Sequence, residues 1–122
     1  MEAVLRHEAV GAFLTHCGWN SMLESLCAGV PMLCWPFEGD QQTNSRLACA
    51  EWRVGVEIGE DARREGVEMA IRQVMGGAAE VRRSAMEWKE KVDSATRPGG
   101  SSWVNLDRVV DEVFTPLMMQ RD

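Results

Sequence analysis

The side chains with the clearest chemical potential lie in two polar turns, Thr15 to Ser21 (THCGWNS) and Pro36 to Asp40 (PFEGD), the second followed at once by Gln41. At the first turn, Gly18 leaves the backbone free to approach a ligand. A helix starting beyond it points unpaired N–H groups outward. Those groups and the helix dipole make an anion site suited to a diphosphate. Asn20 and Ser21 add short hydrogen-bonding groups, and His16 adds a donor that can be cationic beside phosphate. A structural reading competes. Ser21 to Glu24 is a capping box, in which Glu24 reaches back to the Ser21 N–H. At the second turn Asp40 is a natural N-cap and Gln41 a routine first-turn residue. Trp19 and Trp35 read as core or pocket wall.

The elements that must position these turns follow from the apolar pattern. Val10–Leu14 is a near-continuous apolar run, as expected of a strand covered on both faces. A helix over Ser21–Ala28 follows, with Gly29 as its C-terminal cap. Val30–Trp35 is the second apolar run, and Asp40 caps a helix over Gln41–Trp52. Val54–Ile58 reads as a third strand, ending at Gly59. Strand, polar turn and helix in alternation is the layout of a parallel α/β sheet, where ligands sit beyond the carboxyl ends of the strands. Residues 1–59 are thus the α/β core.

Residues 60–115 read as the helical part of the same domain. Val67 to Met75 forms a helix stopped by Gly76-Gly77, and Val81 to Ala95 a second, stopped by Pro98-Gly99-Gly100. Ser101 or Ser102 caps a third, whose apolar side is Trp103, Leu106, Val110 and Val113. Residues 116–122 read as a frayed tail. The Arg63-Arg64 and Arg82-Arg83 pairs lie among the acidic neighbours Glu60, Asp61, Glu65 and Glu80, so they read as solvated surface.

A chain of 122 residues can bury one core, and a net charge of −6 argues against a nucleic-acid partner. No apolar run has membrane-spanning length. Cys17, Cys27, Cys34 and Cys49 have no metal-ligand spacing to one another or to His7 and His16, so reduced buried thiols in a cytoplasmic protein are expected, with no metal and no cofactor.

The first 44 residues resemble the signature box of the plant UDP-sugar-dependent glycosyltransferases that modify small lipophilic acceptors. The matching positions are His7, Gly11, Phe13, Thr15 to Ser21, Leu23-Glu24-Ser25, Gly29-Val30-Pro31, Trp35-Pro36, Asp40-Gln41 and Asn44. The stretches Glu51 to Gly59 and Arg97 to Ser102 extend the likeness over most of the chain. The resemblance implies a Rossmann-like carboxyl-terminal domain of a GT-B fold, whose partner domain binds the acceptor and supplies the base. It implies that His16, Asn20 and Ser21, with the Gly18-Trp19 backbone, hold the diphosphate of a UDP-sugar. Glu24 then accepts from the ribose hydroxyls, while Asp40 and Gln41 bond the sugar. Gln at position 41 resembles the glucose-preferring members. The family box opens with Trp-Ala/Cys-Pro-Gln, and Met1 stands here where that Gln belongs. That start implies a carboxyl-terminal fragment without the amino-terminal domain and without the box's uracil contacts.

Three readings stand. The chain is the UDP-glucose-binding half of an inverting glycosyltransferase acting on small hydroxylated acceptors, or a non-catalytic UDP-sugar-binding module, or a remnant with no ligand.

Overall fold

The computed structural model describes residues 1–59, 62–76 and 79–120. The strand β2 (Met32–Cys34) is central, with β1 (Phe13–Thr15) on one side and β3 (Gly55–Glu57) on the other, both parallel to it. Phe13, Leu14 and Thr15 lie opposite Met32, Leu33 and Cys34, which in turn face Gly55, Val56 and Glu57. Single backbone bonds extend the ladder at its ends: Phe13 N–H to the Pro31 carbonyl, Trp35 N–H to that of Thr15, Met32 N–H to that of Val54 and Ile58 N–H to that of Cys34. Each strand is shorter than its apolar run, because a strand lasts only while a neighbour supplies ladder partners.

The helices differ from expectation mainly at their ends. A single turn, α1 (Glu2–Leu5), buries Leu5. The helix α2 runs Trp19–Ala28 and starts two residues before Ser21, with Gly18 as an extended N-cap (φ −61°, ψ 144°). It ends as read, at Gly29 in the left-handed region (φ 71°), whose N–H returns to the Leu26 carbonyl. The expected Gln41–Trp52 helix is α3 (Gln41–Arg46) continued by a π-helical turn, Leu47–Glu51. Trp52 closes that turn by donating its N–H to the Leu47 carbonyl at 2.9 Å. Then come α4 (Arg64–Gly76) and α5 (Ala79–Thr96). Glu60 and Asp61 beside the Arg63-Arg64 pair, the Gly77 half of the expected helix stop, and the last two residues of the tail lie outside the described residues.

The chain divides into two compact units, residues 1–89 and 90–122, with the division inside α5. In the first unit, α2 packs on β1 and α3, and α4 on β3. Leu33, Ile58, Ala70 and Val74 form a core cluster joined by Trp35, Val56 and Val67. Only β2 is buried on both faces, as expected of a central parallel strand. In β1, Leu14 is 50% exposed.

In the second unit the cap is Gly100, not Ser101 or Ser102, and α6 covers Ser101–Val109. A Cβ on residue 100 would collide with the Ser94 and Ala95 carbonyls, so the position takes glycine for space. A second π-turn, Val110–Phe114, leads into α7 (Thr115–Met119). The tail is therefore helical as far as Met119: the Thr115 hydroxyl bonds the Val110 carbonyl at 3.1 Å, and Pro116 occupies a first-turn position that needs no donor. The apolar side expected at Trp103, Leu106, Val110 and Val113 is exposed.

The burial difference along the sheet has a measurable consequence. Met32→Ala, which empties a fully buried site at the start of the central strand β2, should cost about 2–5 kcal/mol in urea unfolding, whereas half-exposed Leu14→Ala should cost well under that. Equal costs would mean that β2 is not the centre of the core.

Candidate functional site

The parallel register brings both polar turns to the same edge of the sheet, since Thr15 and Cys34, the last residues of β1 and β2, are ladder partners. Leaving β1, the Thr15 hydroxyl accepts the Cys17 N–H at 3.1 Å, and Cys17 is buried at φ 70°. A left-handed non-glycine backbone costs on the order of 1–2 kcal/mol and persists only where its surroundings enforce it. Gly18 then donates its N–H to His16 Nδ1 at 2.9 Å, which leaves Nε2–H as the donor of that ring. The imidazole lies so close over Gly18 that a Cβ there would stand 2.6 Å from His16 Cε1. Gly18 is thus needed for close approach, although its φ is ordinary.

With Gly18 as N-cap, the first bond within α2 is Met22 N–H to the Gly18 carbonyl, and no side chain caps the helix. The N–H groups of Trp19, Asn20 and Ser21 precede that bond and have no helical partner. The capping box between Ser21 and Glu24 does not form, because Ser21 is the third helical residue and not the cap. Glu24 instead lies one turn further on, its Oε2 buried and without a hydrogen-bond partner. A buried carboxylate oxygen left without a donor is costly, and it calls for an explanation from outside the fold.

The second turn is built differently from its reading. Asp40 occupies the N-cap position of α3, but in helical conformation (φ −77°, ψ −5°) and without a side-chain cap bond. The turn is held by Gln41, whose Oε1 accepts the N–H groups of Phe37 at 2.9 Å and Glu38 at 3.0 Å. Gln41 therefore keeps its amide N–H groups for another partner, and exposed Asp40 keeps its carboxylate. The two turns are tied together by a residue to which the sequence reading gave no role. Buried Asn44 donates from Nδ2 to the Cys17 carbonyl at 3.0 Å. The signal was a polar pair, Asn44-Ser45, on the side of α3 that also carries Ala48, and all three are buried. Ser45 donates to Glu57 Oε1 at 3.3 Å, fixing α3 to the end of β3.

Beneath the turns lie three free thiols, Cys17, Cys34 and Cys49. Hydrogen bonding to Cys17 and Cys49, together with burial, pushes the Cys34 thiol up, so it stays protonated. Among the described residues no group of three or more His, Cys, Asp or Glu side chains is arranged to hold a metal. A cleft of about 250 Å³ opens beside the second turn, lined by Trp35, Pro36, Gln42, Glu57, Ile58 and Gly59. Trp35 is its wall and stacks at a tilt on Phe37, 4.5 Å between ring centres. Trp19 is not core. It is 44% exposed, with its ring 6.2 Å from that of Trp52, which lies 5.1 Å from that of Trp88. His7 stands outside the site and receives the Ala9 N–H on Nδ1 at 3.1 Å.

The family model described as UDP-glucoronosyl and UDP-glucosyl transferase matches residues 1–89. UDP-glycosyltransferase 85A3 of Arabidopsis thaliana is 52% identical over 116 residues, covering 93% of this chain and 24% of its own length. The (R)-mandelonitrile beta-glucosyltransferase of Prunus dulcis is 47% identical over 115 residues, with coverage of 93% and 24%. The chain thus spans about a quarter of the length of these curated relatives. Among solved structures, UGT71G1 of Medicago truncatula complexed with UDP-glucose superposes with a TM-score of 0.83 at 36% identity, covering 91% of this chain and 26% of that one.

The tie between the turns can be tested directly. Asn44→Ala leaves the Cys17 carbonyl without its donor and should cost about 1–3 kcal/mol in urea unfolding. A cost within error of zero would mean that the bond does not hold the turns together.

Proposed function

The chain belongs to the UDP-glucoronosyl and UDP-glucosyl transferase family, and from that membership we propose that these 122 residues bind the nucleotide-sugar donor of an inverting glucosyltransferase, with UDP-glucose as the donor. Its parallel sheet with flanking helices is the Rossmann-like fold of the GT-B glycosyltransferases. The observation that carries the proposal is Glu24. Its half-buried carboxylate, acceptor-only and with Oε2 unpartnered within the fold, would take the hydrogen bonds of a pair of vicinal ribose hydroxyls. The three uncapped N–H groups of α2 and the Nε2–H of His16 are the donors for the diphosphate. Asp40 accepts and the Gln41 amide donates to adjacent sugar hydroxyls.

In the reaction, an acceptor hydroxyl attacks the anomeric carbon from the face opposite the diphosphate. The bond from carbon to phosphate oxygen breaks, and the configuration inverts. The donors at the start of α2 are placed where negative charge develops on the departing UDP, so they contribute to the rate as well as to binding. The acceptor's proton goes to a base that these residues do not supply: His16 is committed to the first turn and His7 to its own loop. Acceptors are small hydroxylated lipophilic molecules, among which a cyanohydrin is the substrate class of the Prunus dulcis relative. A cytoplasmic setting is proposed, and the four free thiols support it. No helix among the described residues is long and apolar enough to cross a membrane.

The test is calorimetric titration with UDP and UDP-glucose. The chain should bind both saturably, and Glu24→Gln should weaken UDP by about tenfold or more, the value of a charged hydrogen bond. Absence of saturable binding would leave the ligand-free remnant as the better reading. The same 122 residues, given UDP-glucose and a phenol or terpenol, should release no glucoside. Product formation would show that a base is present after all.

A further inference from the structure

We propose that Trp52 and Trp88 are positioning residues for the diphosphate end of the donor site, acting through Trp19; the inference rests on the donor-binding reading above. Trp19 is the first residue of α2, so its backbone N–H belongs to the anion-binding set while its side chain leaves from the same Cα. The first turn of a helix frays unless something holds it, and a side-chain cap is the usual restraint. At α2 that restraint is missing, because the N-cap is Gly18 and makes no side-chain bond. The ring of Trp19 supplies a substitute. It meets Trp52 at 6.2 Å and 50°, and Trp52 meets Trp88 at 5.1 Å and 43°. Both pairs fall within the 4.5–7 Å range of attractive tilted aromatic contacts.

The anchors of this ladder are well separated in sequence and come from different elements. Trp52 is the residue that closes the π-turn after α3, and its backbone N–H is tied to Leu47 at 2.9 Å, so its ring has a fixed base. Trp88 stands on α5 and is half-buried. Trp19, by contrast, is 44% exposed and would be free to swing if the ring beneath it moved. Rotation of the Trp19 side chain loosens its own peptide and those of Asn20 and Ser21, which are the groups aimed at phosphate. The uridine end, served by Glu24 a turn further along α2, lies beyond that loosening. The ladder therefore links α5 to phosphate affinity and leaves nucleoside affinity alone.

The experiment compares UDP with uridine on the 122-residue chain by titration calorimetry. Trp88→Leu should weaken UDP about tenfold and uridine by less than about twofold, and Trp88→Phe, which keeps a ring in the ladder, should restore UDP binding. A purely structural role would weaken both ligands in proportion. A second measurement needs no destabilising variant. In the chain labelled with 5-fluorotryptophan, UDP should shift the fluorine resonances of Trp19, Trp52 and Trp88 and leave that of Trp103 unmoved. Proportional loss of UDP and uridine, unchanged UDP affinity in Trp88→Leu, or a shift confined to Trp19 would each overturn the ladder while the donor site stands. Failure of the unaltered chain to bind UDP would overturn both.

Discussion

Asn44 reaches from the inner side of α3 to the carbonyl of Cys17, and that amide is what makes two separate turns into one site. The carbonyl it grips belongs to a buried residue in the left-handed region, a conformation that needs enforcement. Thr15 supplies part of that enforcement from the strand side through its hydroxyl. Asn44 supplies the rest from the helix that carries Asp40 and Gln41. With Cys17 held, Gly18 is delivered to the His16 ring, α2 begins one residue later, and the helix presents its free N–H groups at a fixed point beyond β1.

The chemistry follows from what each group has left to offer after the fold has used it. His16 has spent Nδ1 on the turn and keeps a donor. Gln41 has spent its carbonyl oxygen on two backbone amides and keeps donors. Glu24 and Asp40 keep acceptors. The proposed ligand, a nucleotide sugar, has the complement: an anion in the middle, hydroxyls at both ends. The separation of roles also explains why side chains that read as ordinary caps are available for a ligand, since neither Ser21 nor Asp40 caps its helix.

Much of this was legible in the sequence. The apolar runs marked three strands and their order along the chain, and Gly29 marked a helix end correctly. The groups of the proposed donor site stood out because so many sat at fixed spacing around Gly18. What misled was local propensity. Ser21 and Glu24 have the spacing of a capping box, but tertiary contacts at Thr15, Cys17 and His16 start the helix two residues early, where glycine serves as cap. Ser101 and Ser102 misled in the same way, because steric crowding by the Ser94 and Ala95 carbonyls puts Gly100 at the cap. Asn44 showed only as a matching position and as a polar pair with Ser45, without its role, and the tryptophan ladder could not be read from spacing at all. Their meaning depends on which residues far apart in the chain are brought within reach, and a linear pattern does not carry that.

The π-turn at Leu47–Glu51 sets a limit of a different kind on how this chain can change. Its wide turn takes up a residue that an ordinary α-helix would not accommodate, so everything beyond it is phased to that extra residue. Removing one position there would rotate Trp52 by about 100° about the helix axis, turning it from Trp19. It would also slide β3 by one residue, bringing Val54 or Val56 against Cys34 Sγ, where even the added Cβ of an alanine at Gly55 would stand at 3.0 Å. Between α3 and β3, then, chain length is itself a constraint. Buried Ala48 and Val54 and the ring of Trp52 already restrict the side chains there, and a deletion or an insertion would in addition be read at once in the sheet and at the mouth of the site.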